Sequence, residues 1–381
     1  MEFYRKENSF LILLFLLFFL SLVVFELKFQ KFISQKFLIS NSRAVFFKKP
    51  PLPPAYKPPK KLDNPPEIIK AVYVTGYSAR NQKYLNYLSN IFETTEINAV
   101  VVDVKGSDGA ILKDKDNLVK FFHDQNIYAI GRISVFQDPV FARARPELAI
   151  YNKNGGLWRD NNGLFWLDPA SKDVWDYNIS LAKDAFLHGF DEINFDYARF
   201  PSDGNMESMG FPIWDLKKTK QEVIKEFFEY LRSKLLGHRI SADLFGQTAI
   251  DVGDMGIGQV MEDAFENFDY ICPMVYPSHY ANGFIGFANP AEHPYEIVKY
   301  SMANALERQK VYAASAPTGA SASQSKLRPW LQDFDMGADY NSEMVKLEIK
   351  AVEDALGKNF SGYMLWNPAN IYTAGAILKL E

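Results

Sequence analysis

The stretch DEINFDYARFP, residues 191–201, has the pattern of a buried strand that ends abruptly. Apolar side chains at Ile193 and Phe195 alternate with polar ones at Asn194 and Asp196, so the two kinds occupy opposite faces of the strand. Polar groups on the inner face of a buried strand are costly unless they are paired or used. A carboxylate at the C-terminal end of this strand, followed by an arginine and a chain-breaking proline, therefore predicts a functional site.

Strand-like and helix-like segments alternate on both sides of this stretch. The predicted strands lie at 70–78, 97–106, 127–136, 191–201, 239–246, 270–280, 327–335 and 360–369. The predicted helices lie near 81–95, 115–125, 172–189, 216–236, 256–268, 294–309 and 342–356, and GLFWLDP (163–169) is predicted to be an excursion. Strands that alternate with helices imply parallel pairing, and eight of them fit a (β/α)8 TIM barrel. The alternative, an open doubly wound sheet, would need a glycine-rich phosphate turn, and neither GxGxxG nor GxxxxGK[ST] occurs.

Composition excludes several classes of function. A net charge of −4 and a pI of about 5.9 provide no basic field for binding nucleic acid. The single cysteine, Cys272, excludes an intrachain disulfide and a cysteine-rich metal site. The five histidines form no HExxH motif, so no catalytic metal is expected and no cofactor is predicted. A GxSxG nucleophile motif is also missing, which leaves carboxylate chemistry.

The N-terminus contains an unbroken apolar segment, FLILLFLLFFLSLVVF, at residues 10–25. Its length is at the short end of a membrane span, and no A-x-A-like cleavage site follows it. We therefore expect an uncleaved signal anchor rather than a cleaved signal peptide. This prediction gives three parts: a cytoplasmic stub and anchor at 1–29, a Pro- and Lys-rich stalk at 30–67, and a barrel domain at 68–381.

The orientation of this single-pass protein depends on two opposing signals. A barrel outside the cytoplasm is the expected arrangement, since long domains often cross the membrane regardless of flanking charge. Lys28, Lys31 and Lys36, however, outnumber the basic residues before the apolar segment and favour the opposite orientation. A cytoplasm-facing scaffold therefore stays open as an alternative.

In a barrel of this type the functional groups lie at the C-terminal ends of the strands. The polar and aromatic residues predicted there are Asp103, Arg132, Asp196, Arg199, Asp243, Tyr276, His279, Trp330, Gln332, Asp333, Trp366 and Asn367. Aromatic rings can stack on sugar rings, planar polar groups can bind hydroxyls, and paired acids can act on a glycosidic bond. The set is typical of a carbohydrate site.

Six segments carry a resemblance to a known family: AVYVTGYS, NAVVVDVKG, INFDYARFP, ICPMVYPSHY, RPWLQDF and GYMLWNP. Over about residues 70–375 the chain resembles a bacterial glycosyl hydrolase domain family of unknown function. The resemblance implies a TIM barrel shared with α-amylase-like and α-galactosidase-like enzymes, whose nucleophile is an aspartate at the end of strand four, matched by Asp196. The α-amylase-like enzymes place the acid/base after strand five, usually as Glu, where this chain has Asp243. The α-galactosidase-like enzymes place it after strand six, where this chain has Tyr276 and His279 but no carboxylate.

These observations predict a membrane-anchored glycoside hydrolase acting on a polysaccharide or cell-envelope glycan. Asp196 is the expected nucleophile, or the base of an inverting enzyme, and Asp243 the expected general acid. The predicted substrate contacts are Asp103, Arg132, Arg199, Tyr276, His279, Trp330, Gln332, Asp333, Trp366 and Asn367. Arg199 is expected to hold either Asp196 or a substrate hydroxyl, and Asp103 could instead hold Lys105 or Arg132. The alternative is a non-catalytic cell-surface barrel that binds carbohydrate. The sugar, the linkage, retention or inversion, and the oligomeric state stay open.

Overall fold

The computed structural model of the chain describes residues 59, 61–315 and 325–379, and within them eight strand positions form a closed parallel barrel. The strands are β1 (Ile69–Val74), β2 (Ala99–Lys105), β3 (Tyr128–Ser134), β4 (Glu192–Asp196), β5 (Ile240–Phe245), β6 (Tyr270–Met274), β7 (Lys326–Leu327 with Trp330–Gln332) and β8 (Gly362–Trp366). Each pairs in parallel with the next, and β8 pairs with β1 to close the barrel. The predicted TIM barrel is confirmed for this part of the chain.

Helices alternate with the strands around the barrel. They are α1 (Gln82–Thr94), α2 (Lys115–His123), α3 (Pro139–Ala144), α4 (Lys172–Leu187), α5 (Lys220–Lys234), α6 (Met261–Phe265), α7 (Pro294–Ser315) and α8 (Ser342–Leu356). The helix predicted near 256–268 is much shorter in the structure. Its predicted first turn is prevented by positive φ angles at Met255 (52°), Gly256 (69°) and Gly258 (86°), because a right-handed helix needs negative φ.

Helix α5 shows why these segments fold where they do. Thr219 and Glu222 form a capping box, in which the Thr219 side chain accepts from the Glu222 N–H and the Glu222 carboxylate accepts from the Thr219 N–H. Such a cap stabilises a helix by about 1 kcal/mol. Apolar residues at helical spacing, among them Phe227 and Leu231, are buried on the face toward the barrel. The cap and the apolar stripe together fix where α5 begins and which face it buries.

The barrel sheet has an apolar layer on each of its two faces. An outer layer between strands and helices contains Ile193 and Phe195, and an inner layer inside the barrel includes Tyr73, Trp330 and Met364. Asn194 and Asp196 point inward, since Asn194 bonds to Ser241 of β5 and Asp196 bonds to Arg132 of β3. The opposite faces predicted for the stretch 191–201 are therefore confirmed.

An excursion between β3 and α4, residues 135–171, lies beside the end of β4. Tyr151–Asn152 pairs antiparallel with Met209–Gly210, which belongs to the connection after β4. Trp166 of the excursion contacts Tyr197 edge to face, with ring centroids 5.7 Å apart. The stretch predicted to be an excursion, 163–169, is part of this segment and carries Trp166 next to the candidate site.

The predicted anchor at 10–25 and most of the predicted stalk lie outside the described residues. None of the helices at 61–315 and 325–379 is long and apolar enough to cross a membrane. Near the start of the described chain, the partly buried Leu62 packs against the inner apolar layer of the barrel. The chain therefore contacts the barrel several residues before the predicted domain start at 68.

Candidate active site

Asp196, the last residue of β4, is held on both of its carboxylate oxygens. Arg132 of β3 donates to Asp196 Oδ2 from Nε at 3.1 Å and from Nη2 at 2.5 Å. The backbone N–H of Tyr197 donates to Asp196 Oδ1 at 2.6 Å. Charge-assisted bonds from a guanidinium fork are among the strongest and most directional in proteins. The orientation of this carboxylate is consequently set before any ligand binds.

The backbone turn after Asp196 has an uncommon conformation. Tyr197 has φ = 50°, in the left-handed region that a bulky side chain seldom adopts. Such a residue costs about 1–3 kcal/mol, and such residues cluster at functional sites. At this position the turn brings the Tyr197 N–H onto the Asp196 carboxylate and the Tyr197 ring into the cavity wall.

Asp243 of β5 lies in a different environment. Its side chain is almost completely buried, and its Oδ1 accepts from Asn194 Nδ2 at 2.8 Å and from Trp330 Nε1 at 2.7 Å. Burial, followed by the nearby charge of Asp196, raises the pKa of Asp243 well above its ordinary value. Two carboxyl groups of the same site are thus in unlike states, one paired with a guanidinium and the other favoured in its protonated form.

The separation of these two carboxyl groups has an upper limit. Arg132 Nε is 3.1 Å from Asp196 Oδ2 and 4.0 Å from Asp243 Oδ2, so the two oxygens are at most about 7.1 Å apart, the sum of these distances. Carboxyl pairs of retaining glycosidases are about 5–5.5 Å apart and those of inverting ones about 6.5–9.5 Å. An oxygen–oxygen distance below about 7.1 Å is compatible with the separation in retaining enzymes and with only the shortest separations in inverting enzymes.

Both aspartates line one cavity of about 360 Å3 at the C-terminal end of the strands. Eight of the predicted site residues border it: Arg132, Asp196, Arg199, Asp243, Tyr276, His279, Trp330 and Trp366. Residues from six different strand ends, those of β3 to β8, therefore meet at one place, as the barrel topology requires. Their catalytic and binding roles stay predictions.

Aromatic rings form one side of this cavity. The ring centroids of Tyr276 and Trp366 are 5.6 Å apart, and Phe334 contacts Trp366 edge to face at 5.0 Å. Trp366 is half-buried, whereas Trp330 is only 2% exposed and has its N–H bound to Asp243. Of the two predicted sugar platforms, Trp366 has the more accessible ring.

Four predicted contacts lie outside the cavity lining. Asp103 accepts from Arg132 Nη1 at 2.5 Å and from the Tyr73 hydroxyl at 2.6 Å, so it lies behind the arginine. Gln332 accepts from the Ser278 N–H, at 3.2 Å, in the loop that carries His279.

The remaining two of these four hold the ends of β7 and β8. Asp333 accepts from the Thr373 N–H at 2.8 Å and from its hydroxyl at 2.6 Å. Asn367 donates to the Asp333 carbonyl and accepts from the Ala369 N–H. The structure gives all four side chains partners within the protein.

Of the two partners expected for Arg199, Asp196 is wrong, and the other, a substrate hydroxyl, stays a prediction. Arg199 Nη1 instead donates to the Phe200 carbonyl at 2.9 Å and to Ser202 Oγ at 3.2 Å. The partner of Asp196 is Arg132, because β3 is the neighbour of β4 in the barrel and both side chains point inward. The other interpretation of Asp103, that it holds Arg132, is confirmed, while Lys105 pairs with Asp138.

Sequence reasoning missed several residues of the site. Tyr73 is the inward residue at the end of β1, which stops at Val74. The predicted strand continued to residue 78, but Tyr77 in that part is 83% exposed. The alternation of Ala71, Tyr73 and Thr75 was a usable signal for Tyr73. The cavity-lining residues not predicted are Tyr197, Ser202, Asp203, Phe245, Gly246, Gln247, Met274 and Tyr280. They lie mostly on loops, whose approach to the cavity the local pattern does not encode.

Solved structures similar to this chain include glycoside hydrolases. The chain is 16% identical to the PgaB (BpsB) glycoside hydrolase domain from Bordetella bronchiseptica, over 80% of this chain and 95% of that one, with a TM-score of 0.57. It is 13% identical to the α-galactosidase TtGalA from Thermus thermophilus, over 82% of this chain and 60% of that one, with a TM-score of 0.51. At these identities the likeness shows the shared barrel fold.

The chain was also compared with proteins and families of similar sequence. A hypothetical protein from Ruminiclostridium thermocellum is 42% identical, over 45% of this chain and 96% of that one, with a TM-score of 0.42. No curated protein matches the chain. Residues 110–372 match the family described as "putative glycosyl hydrolase domain". The match covers more than half of this chain and includes the segments INFDYARFP, ICPMVYPSHY, RPWLQDF and GYMLWNP. The chain therefore belongs to that glycosyl hydrolase domain family.

Proposed function

We propose that this protein is a glycoside hydrolase in which Asp196 is the nucleophile and Asp243 the general acid. The observation that supports this most directly is the unequal environment of the two carboxyl groups around Arg132. Asp196 is bound by a guanidinium, whereas burial and the charge of Asp196 raise the pKa of Asp243. A glycosidase needs one ionised and one protonated carboxyl group facing the same bond.

A retaining reaction is compatible with the upper limit of about 7.1 Å between Asp196 Oδ2 and Asp243 Oδ2. Asp196 attacks the anomeric carbon while Asp243 gives its proton to the glycosidic oxygen, so that the leaving sugar departs as an alcohol. The ester formed on Asp196 is then hydrolysed by a water molecule that transfers a proton to the Asp243 carboxylate. Both aspartates return to their starting states, and one glycosidic bond has been exchanged for water.

The test uses two isosteric variants and a matched control. Asp196→Asn should lower kcat by several orders of magnitude on natural and activated glycosides, because the attacking charge is gone. Asp243→Asn should lose the natural linkage but retain cleavage of aryl glycosides, whose leaving groups need little protonation. Asp335→Asn removes an exposed carboxylate just after β7, outside the cavity lining, and should keep full activity. Unchanged hydrolysis by folded Asp196→Asn protein would refute the assignment.

One observation favours the second candidate, a non-catalytic carbohydrate-binding barrel. Asp243 is only 1% exposed, and one of its oxygens is already occupied by Asn194 and Trp330. A binding module needs the aromatic wall and the polar lining but no proton donor. It predicts glycan binding by the unsubstituted protein without release of reducing sugar on any glycan that it binds.

We further propose that the apolar segment at 10–25 anchors the protein in a membrane, with the barrel outside the cytoplasm. The support is the length of the segment and the missing small-residue cleavage site after it. N-terminal sequencing of membrane-bound protein tests this proposal: a mature start beyond Phe29 would indicate a cleaved signal peptide instead. Protease access from either side of the membrane would decide the orientation.

A further inference from the structure

Arg199 is a nearly buried cation without a carboxylate partner in the described part of the chain. Its side chain lines the cavity of the candidate active site, and the residue is only 6% exposed. Among the described residues, no carboxylate oxygen lies within ion-pair distance of its guanidinium, although Asp196 and Asp203 line the same cavity. Buried charges in proteins are normally paired, because removing an ion from water is costly.

The hydrogen bonds of Arg199 leave much of its donor capacity unused. Only Nη1 donates within the described residues, to the Phe200 carbonyl and Ser202 Oγ. Nε and Nη2 make no hydrogen bond to the described residues. Neither atom is fully buried, in contrast to Arg328 Nε, which is fully buried and has no hydrogen-bond partner. Since Arg199 borders the cavity, the free donors are accessible from that side. A guanidinium edge with two free N–H groups matches the geometry of a carboxylate.

Aromatic rings fix the guanidinium in place. The Arg199 Cζ atom lies 4.5 Å from the ring centroid of Phe245, 5.0 Å from that of Trp166 and 5.2 Å from that of Tyr197. Such contacts stabilise a cation and restrict its motion without neutralising its charge. Burial lowers the pKa of Arg199, and the more distant charges of Asp196, Asp203 and Asp160 only partly oppose this effect.

We propose that Arg199 receives an anionic substituent of the sugar, foremost the carboxylate of a uronic acid, so that the ligand of this cavity is an acidic glycan. The missing counter-ion of the buried guanidinium is then supplied by the ligand. This inference rests on the proposed function for the location of the site, and it names the substrate class. A neutral sugar would leave the cation buried and unpaired, which penalises neutral ligands relative to acidic ones.

Binding can be measured without turnover, in full-length protein that carries Asp196→Asn. The probes are oligogalacturonides and oligoglucuronides, each compared with its carboxyl-reduced neutral counterpart, together with a sulfated oligosaccharide. A charged hydrogen bond is worth about 1.5–3 kcal/mol, so at least one acidic probe should bind about ten- to a hundredfold more tightly than its neutral counterpart.

Three further substitutions, each added to Asp196→Asn, separate a ligand contact from a structural role. Arg199→Gln should abolish the preference for the acidic probe while binding of the neutral counterpart changes little. Arg199→Lys keeps the charge but not the fork and should retain part of the preference. Arg145→Gln is the control, because it removes the same charge from an arginine outside the cavity lining that pairs with Glu147 and Asp173. It should leave the preference for the acidic probe intact. A purely structural Arg199 would affect acidic and neutral probes equally.

The outcomes distinguish this inference from the proposed function. Acidic preference that depends on Arg199, with no hydrolysis by the unsubstituted protein, would support the inference and refute the hydrolase. Hydrolysis of neutral glycans alone, no binding of any acidic probe, or a preference that persists in Arg199→Gln would each overturn the inference. If only the sulfated probe shows a preference that depends on Arg199, Arg199 binds an anionic sugar as proposed, but the anionic group is a sulfate and the uronic acid assignment is wrong.

Discussion

Arg132 Nη2 and Asp196 Oδ2 are 2.5 Å apart, a link between β3 and β4 at the mouth of the barrel. Arg132 is level with Asn194 in the strand register, so its side chain reaches diagonally toward the strand end to meet Asp196. The same guanidinium bonds to Asp103 of β2 and lies 4.0 Å from Asp243 of β5. One cation thus organises carboxyl groups from three strands, and most of the expected behaviour of the site follows from it.

Replacing Arg132 by Gln should destabilise the fold as well as the site. The change leaves neighbouring carboxylates without their counter-ion, and breaking a buried ion pair costs about 3–5 kcal/mol. Urea unfolding measures this loss, and kcat should fall because Asp196 loses its orienting partner. Arg145→Gln, which breaks only partly exposed surface pairs, should change the free energy of unfolding by less than about 1 kcal/mol. An equally small effect of Arg132→Gln would contradict the central role given to this arginine.

Stability and activity should both decrease as pH rises through the elevated pKa of Asp243. The neutral carboxyl contributes stability that is complete below the ordinary pKa of aspartic acid, about 4, and is lost as the pH passes the raised value in the folded protein. In the proposed mechanism Asp243 is the general acid, and it would lose the proton that it must donate over the same range. Asp243→Asn should therefore flatten the corresponding part of the curve of unfolding free energy against pH, measured by urea titration. Asp173→Asn, at an exposed aspartate, provides the control and should reproduce the unsubstituted curve.

Trp366→Ala tests the aromatic wall. Its half-buried ring borders the cavity and contacts Tyr276 and Phe334. Its removal should weaken glycan binding by about two- to tenfold, which corresponds to the 0.5–1.5 kcal/mol typical of aromatic contacts. The expected kinetic signature is a raised KM with a nearly unchanged kcat, since Trp366 makes no hydrogen bond to either aspartate. Trp214→Ala, at a half-buried tryptophan outside the cavity lining, should leave KM unaltered. A loss confined to kcat would show that Trp366 does not bind the ground state.

The folded domain should need the residues just before β1. Leu62 packs against the inner apolar layer, so a protein beginning at Pro58 should unfold at higher urea concentration than one beginning at Pro66. Both should be soluble without detergent if the predicted stalk is correct. Leu62→Ala in the longer protein should reproduce part of the difference. Equal midpoints for the two truncated proteins would show that this contact adds no stability.

The order of strands and helices was predictable from the sequence because periods of two and 3.6 residues are local properties. The helix predicted at 342–356 has those bounds in the structure, and the inward face of β4 followed from simple alternation. Knowledge of a parallel barrel was also enough to place candidate groups at the strand ends, and eight of the twelve border one cavity. The misplaced start of α6 shows the limit of this approach, because positive φ angles at Met255 and its neighbours override an apolar pattern.

Which side chains pair with one another was decided only by the tertiary structure. Arg199 is three residues from Asp196 in sequence, yet the partner of Asp196 is Arg132, 64 residues earlier, and Glu192 pairs inside the barrel with Arg328, 136 residues later. These partners depend on strand neighbours, register and the inward direction of each side chain, which are set when the barrel closes. Closure also places Asp196 Oδ2 within about 7.1 Å of Asp243 Oδ2, and it leaves Arg199 nearly buried without a carboxylate partner among the residues that the structure describes. The sequence determined which groups are available, and the closed barrel decided which of them pair with one another, because closure sets the neighbours, the register and the burial of each side chain.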